Sequence, residues 1–110
     1  MALHHLLPAE KIRLTAAAAD PAADPDSRTW ALVKTDAFEA VQLVLRAGDE
    51  ISPHAVPGHA TIHCLEGRAI LQTDKRIELT AGDWLYLDRG QRHSVSAIED
   101  AALLVTILFG

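Results

Sequence analysis

From Thr29 onward, apolar residues recur at every second position in short runs, and the runs are cut by turns rich in glycine. A side-chain period of two belongs to strands, because successive side chains leave opposite faces of a pleated backbone. The runs are Trp30–Thr35, Phe38–Arg46, Ile51–Ala55, Thr61–Leu65, Arg68–Thr73, Arg76–Leu79, Trp84–Leu87, Ser94–Ile98 and Leu103–Leu108. Between them lie Ala47-Gly48-Asp49, Pro57-Gly58, Glu66-Gly67, Asp74-Lys75, Ala81-Gly82-Asp83 and Arg89-Gly90. Four of these turns place a glycine where any other residue would sit awkwardly at positive φ. Many short strands without one convincing long helix require an all-β sandwich or barrel, and a jelly-roll-like barrel is the expected form.

The remainder of the chain is different in kind. Residues 1–29 read as an N-terminal extension and residues 30–110 as the barrel. Within the extension, Glu10–Leu14 is expected as a short strand, Ala16–Ala19 as a turn of helix and Asp20–Ser27 as a loop, since neither Asp-Pro pair continues a helix. At 110 residues the chain holds one domain, with 49% apolar residues and only 5% aromatics, so its core must be aliphatic.

A net charge of −5 without a concentrated basic face excludes a nucleic-acid or anionic-membrane partner. The longest apolar run, Ala101–Phe109, is too short to span a bilayer. Met1–Pro8 lacks the basic start and long apolar stretch of a secretory signal, which gives a cytoplasmic expectation. Cys64 is the sole cysteine, which removes intrachain disulfides and cysteine-based zinc clusters.

Several strands are apolar on both faces. In the run ending at Leu108, one parity carries Leu103, Val105 and Ile107 and the other Leu104, Thr106 and Leu108. In Phe38–Arg46, Val41, Leu43 and Leu45 alternate with Phe38, Ala40 and Val44, and Gln42 is expected in the lumen or at an exposed edge. A strand with water on one side should alternate cleanly. Something is therefore expected to cover the outer face, either the extension or a second copy in a homodimer.

No phosphate loop, zinc-protease helix or nucleophile elbow occurs, and the serines have no activating neighbours. The chemistry falls to the histidines. Gly48-x5-His54, with Leu65-Glu66-Gly67 beyond it, and Gly82-Asp83-Trp84-Leu85-Tyr86-Leu87 leading to Gly90-x2-His93, resemble the two motifs of the cupins. The likeness spans about residues 30–109, and its nearest look is to small single-domain barrels with His-x-x-Pro-Gly in the first motif.

The resemblance implies a cupin-type jelly-roll barrel (double-stranded β-helix). It also implies a lumen site in which first-motif and second-motif histidines surround a divalent metal with open positions. Here Val56 stands in the second histidine's slot, Ala60 in the glutamate's, Asp88 in the proline's and Ala97 in the asparagine's. Two readings stay open.

In the first, a strand bulge at Pro57-Gly58 brings His59 into the slot that Ala60 vacates. His54, His59 and His93 then hold Zn, Fe, Ni, Mn or Cu. In the second, His54 and His93 line an apolar pocket with Val56, Ala60, Ile62 and Cys64, and a small-molecule ligand binds there without a cofactor. Cys64 is expected to be a buried small hydrophobe rather than a nucleophile, and Trp84 and Tyr86 a pocket wall or core. His63 is expected on the outer face of its strand.

The function that follows is a small barrel that holds a small ligand or a divalent metal in its lumen, its specific role left open. The alternative is a metal-dependent dioxygenase-type oxidoreductase acting on a small organic substrate. An epimerase with a histidine base ranks behind both, because a base needs an orienting partner. A purely structural role is the default beneath them.

Overall fold

The computed structural model describes residues 5–14 and 29–109. The described residues form nine strands and no helix: β1 (Thr29–Lys34), β2 (Phe38–Leu45), β3 (Glu50–His54), β4 (His59–Glu66), β5 (Arg68–Gln72), β6 (Arg76–Thr80), β7 (Trp84–Leu87), β8 (His93–Ala97) and β9 (Ala101–Leu108). All pairings are antiparallel, and two sheets result, ordered β1-β2-β9-β4-β7 and β3-β8-β5-β6. The strands expected from periodicity are all present, with ends displaced by a few residues. Among the described residues, no helix is long and apolar enough to cross a membrane.

The core lies between the sheets. Leu43 and Leu45 of β2, Ile62 and Cys64 of β4, Leu71 of β5, Val95 of β8 and Leu103 of β9 belong to one buried cluster. The apolar second face of β9 has a local cause. This strand pairs with β2 on one side and β4 on the other along its length, which makes it the middle strand of the five-stranded sheet. Its outer face runs from buried Ala102 through half-buried Leu104 and Thr106 to exposed Leu108. Gln42 is neither in the lumen nor at an open edge. It pairs with Trp30 and Leu104 on the outer face and is nonetheless buried.

Gly48, Gly67, Gly82 and Gly90 have positive φ. At Gly67 the requirement is double. Its φ is +79°, and a β-carbon there would run into the Asp100 carbonyl oxygen as β4 turns into β5.

The expected strand over Glu10–Leu14 does not form, and residues 10–14 lie outside both sheets. Just before them, Leu7 N–H donates to Glu10 Oε1 at 3.0 Å, and Ala9 has a φ of 69°. That turn takes the backbone off an extended path. The segment touches the sheet through Leu6 N–H, which donates to Leu32 O at 2.6 Å. The expected helical turn at Ala16–Ala19 and loop at Asp20–Ser27 lie outside the described residues.

Candidate functional site

The lumen is built from alternation plus one irregularity. Along β4, Ala60, Ile62 and Cys64 face inward and are buried, while His59, Thr61 and His63 take the opposite face. Along β8, His93, Val95 and Ala97 face inward. Regular pairing would put Pro53 opposite His93. Instead, the register shifts between Ile51 and His54, so that Ile51 pairs with Val95 and His54 with His93. Pro53 explains the shift: without an N–H it cannot donate to the ladder, and an edge strand such as β3 is where a bulge absorbs it. The extra residue turns His54 to the same side as Ile51.

The two imidazoles meet as a result. Their ring centroids are 4.4 Å apart with the planes tilted by 53°. His93 is buried and His54 is open to solvent, so the pair runs from the rim into the interior. Each ring is pinned in the same way. His54 Nδ1 lies 3.1 Å from Ser52 O, and His93 Nδ1 lies 3.0 Å from Gln91 O. A carbonyl only accepts, so each Nδ1–H donates, and in the neutral ring Nε2 is left as the acceptor. Burial, and then the neighbouring His54, push the His93 imidazole below its ordinary pKa, which keeps it neutral.

Both rings border a cavity of about 200 Å³. Val56, Ala60 and Ile62 share its wall, and β2 and β9 add Val41, Leu43, Val105 and Ile107. The added residues are the inward parities already visible in Phe38–Arg46 and Leu103–Leu108. What the sequence lacked was the order β2-β9-β4, which sets them beside Ile62. Cys64 has the inward parity but lies beyond the cavity, wholly buried in the packed core. Burial and then the charge of Asp83 raise its thiol pKa, so it stays protonated.

His59 does not join His54 and His93. The bulge falls at Ser52-Pro53 rather than at Pro57-Gly58, Ala60 keeps the inward slot, and His59 keeps the outer face. Its Nδ1 lies 2.8 Å from Tyr86 Oη and 3.4 Å from Asp88 Oδ1, and its ring stacks on Tyr86. Asp88 is held below the usual carboxylate range, first by the Arg89 backbone N–H and next by the Tyr86 hydroxyl. Burial, and then Asp88, raise the Tyr86 phenol.

Trp84 and Tyr86 are therefore neither pocket wall nor core. They sit on the outer face at 60% and 53% exposure, while Leu85 and Leu87 turn inward. His63 lies on that outer face, between Leu104 and Trp84 in the register.

The three-imidazole metal centre is not assembled. Among the described residues no group of three or more His, Cys, Asp or Glu could hold an ion. Among the described residues the lumen offers the imidazoles of His54 and His93, with Val56 and Ala60 on its wall where the resemblance implies a second histidine and a glutamate. Open transition-metal centres ordinarily need three protein ligands, so the residues present do not fit one.

A family model for the cupin domain matches residues 41–109. No curated protein matches the chain. Among solved structures, a cupin superfamily protein from Desulfitobacterium hafniense superposes with a TM-score of 0.80 at 21% identity, over 94% of this chain and 95% of that one. A conserved protein of unknown function from Streptococcus pyogenes gives 0.79 at 21% identity, over 100% and 96%. Salicylate 1,2-dioxygenase from Pseudoaminobacter salicylatoxidans gives 0.62 at 19% identity, over 66% of this chain but 21% of that one. At these identities the superpositions speak for the double-stranded β-helix alone. With the motif glycines and the paired histidines in place, the match over residues 41–109 decides the family: this chain belongs to the cupins.

Proposed function

We propose that this cupin is a binding protein whose lumen takes a small, mostly apolar molecule and fixes its polar end at His54 and His93. The observation that carries the reading is the pair of pinned imidazoles, 4.4 Å apart, on the wall of an otherwise aliphatic cavity of about 200 Å³. Pockets of this make-up, hydrocarbon walls with few convergent polar groups, bind ligands by burial and orient them by hydrogen bonds. An engineered apolar cavity of roughly 150 Å³ takes up benzene, so a single-ring molecule is the right scale.

The dioxygenase-type alternative needs a third donor beside the two imidazoles, and no observation favours it. The test is methyl-resolved NMR with toluene as the probe. Shifts at Ile62, Val105 and Ile107 are expected, and Ala60→Leu, which fills the wall, should weaken binding at least about tenfold. Unmoved methyl resonances at millimolar toluene would overturn the reading.

The outer face of the five-stranded sheet supports a second part of the proposal, a homodimer. Trp84, Tyr86 and Leu108 are 60%, 53% and 46% exposed there. Large apolar side chains clustered on one face, here with His59, Thr61 and His63 of β4 among them, are commonly covered by a two-fold copy. Sedimentation should give twice the chain mass, and Trp84→Lys should give the monomer. A monomeric parent protein would remove the dimer and leave the lumen reading untouched.

A further inference from the structure

Resting on the lumen-binding reading, we infer that the molecule held there enters as a neutral hydrogen-bond donor, a phenol-like hydroxyl on a single ring, and that carboxylates are rejected. The two Nδ1–H groups are committed to the carbonyls of Ser52 and Gln91, so neither can turn to a ligand. What the rings offer is two Nε2 lone pairs. Among the described residues, Thr29 is the only other one on the wall with a polar side chain, and it stands at the exposed start of β1.

A pocket with acceptors set in hydrocarbon selects by complementarity. A hydroxyl donates to Nε2 and gains a hydrogen bond inside a low-dielectric space, where such bonds are strong. A carboxylate has only acceptors when ionised, so it would meet lone pairs and leave its own charge unsolvated. Protonating the rings would reverse this preference, but burial and the proximity of the two imidazoles oppose a charge on His93. A cationic amine carries donors yet loses its hydration against aliphatic walls, which leaves the neutral hydroxyl as the matching group. The cavity of about 200 Å³ confines the body of the ligand to roughly one ring.

The experiment titrates the 110-residue chain with phenol, toluene and benzoate at about pH 8, where histidine is neutral, and follows the lumen methyl groups by NMR. Phenol should bind at least about tenfold tighter than toluene, and benzoate should not saturate. His54→Leu, at the open end of the pair, should bring phenol down towards toluene while toluene binding holds or improves.

Equal affinity for phenol and toluene would overturn the donor claim and leave the apolar cavity standing. Benzoate binding as tightly as phenol would overturn it as well. If none of the three moves the methyl resonances, the lumen-binding reading falls and takes this inference with it.

Discussion

His54 and His93 stand opposite each other in the β3–β8 register, and each sends its Nδ1 to the carbonyl two residues before it, 3.1 Å to Ser52 and 3.0 Å to Gln91. The repetition matters because it gives two rings from distant parts of the chain the same tautomer. In metal sites such a backbone contact orients a ligand histidine. Here it leaves Nε2 of each neutral ring as the acceptor, His54 at the solvent-open rim and His93 in the interior.

The first prediction concerns that tautomer. In long-range proton–nitrogen spectra at about pH 8, both rings should carry their proton on Nδ1, although free imidazole side chains favour Nε2–H. A lumen histidine protonated on Nε2 would contradict the assignment.

The second follows from His93 being held below its ordinary pKa by burial and by His54. The unfolded chain, with a histidine pKa of about 6.5, binds the proton more readily than the folded one. The stability contributed by neutral His93 is therefore complete above that value. It declines as pH falls from there through the lower folded-state pKa. Urea midpoints should drop between about pH 7.5 and 5.5, and His93→Gln should flatten the drop. An unchanged slope in the variant would assign the pH dependence elsewhere.

The third separates His59 from the lumen. His59→Ala loses contacts with Tyr86 and Asp88 on an open face, which costs about 0.5 kcal/mol or less. Probe binding in the lumen should not change, and treatment with a strong chelator should leave it equally intact. A large loss in either case would restore His59, or a metal, to the site.

The fourth compares two turns. Gly67→Ala forces a β-carbon into the Asp100 carbonyl at positive φ and should destabilise the fold by about 3 kcal/mol or more. Gly48→Ala, at φ +91° with open space around it, should cost only about 1 kcal/mol. Equal losses in chemical denaturation would mean that the approach of β4–β5 to Asp100 is not tight.

Much of this architecture was legible from residue spacing. Alternation in Arg68–Thr73 and Thr61–Leu65 needs only a pleat, and the inward faces of Ile62 and Leu71 follow directly. The site was only half legible, because a bulge changes parity for every residue beyond it. The irregularity was expected at Pro57-Gly58, and Pro53 was passed over although it equally lacks an N–H for the ladder; nothing local says which strand yields. The edge position of β3 decides it, and edges are a property of sheet order rather than of any single run. Trp84 and Tyr86 were misread for a related reason. Their strand is also an edge, so its outer residues have no neighbouring strand to cover them.

On the proposed function, a ligand meets the two imidazoles in the lumen. A crystal soaked with phenol tests this directly. The predicted result is ring density between the β2–β9–β4 wall and β8, with the hydroxyl oxygen about 2.8 Å from Nε2 of His54 or His93. Density confined to the outer face, or a lumen unchanged while phenol saturates in solution, would contradict it.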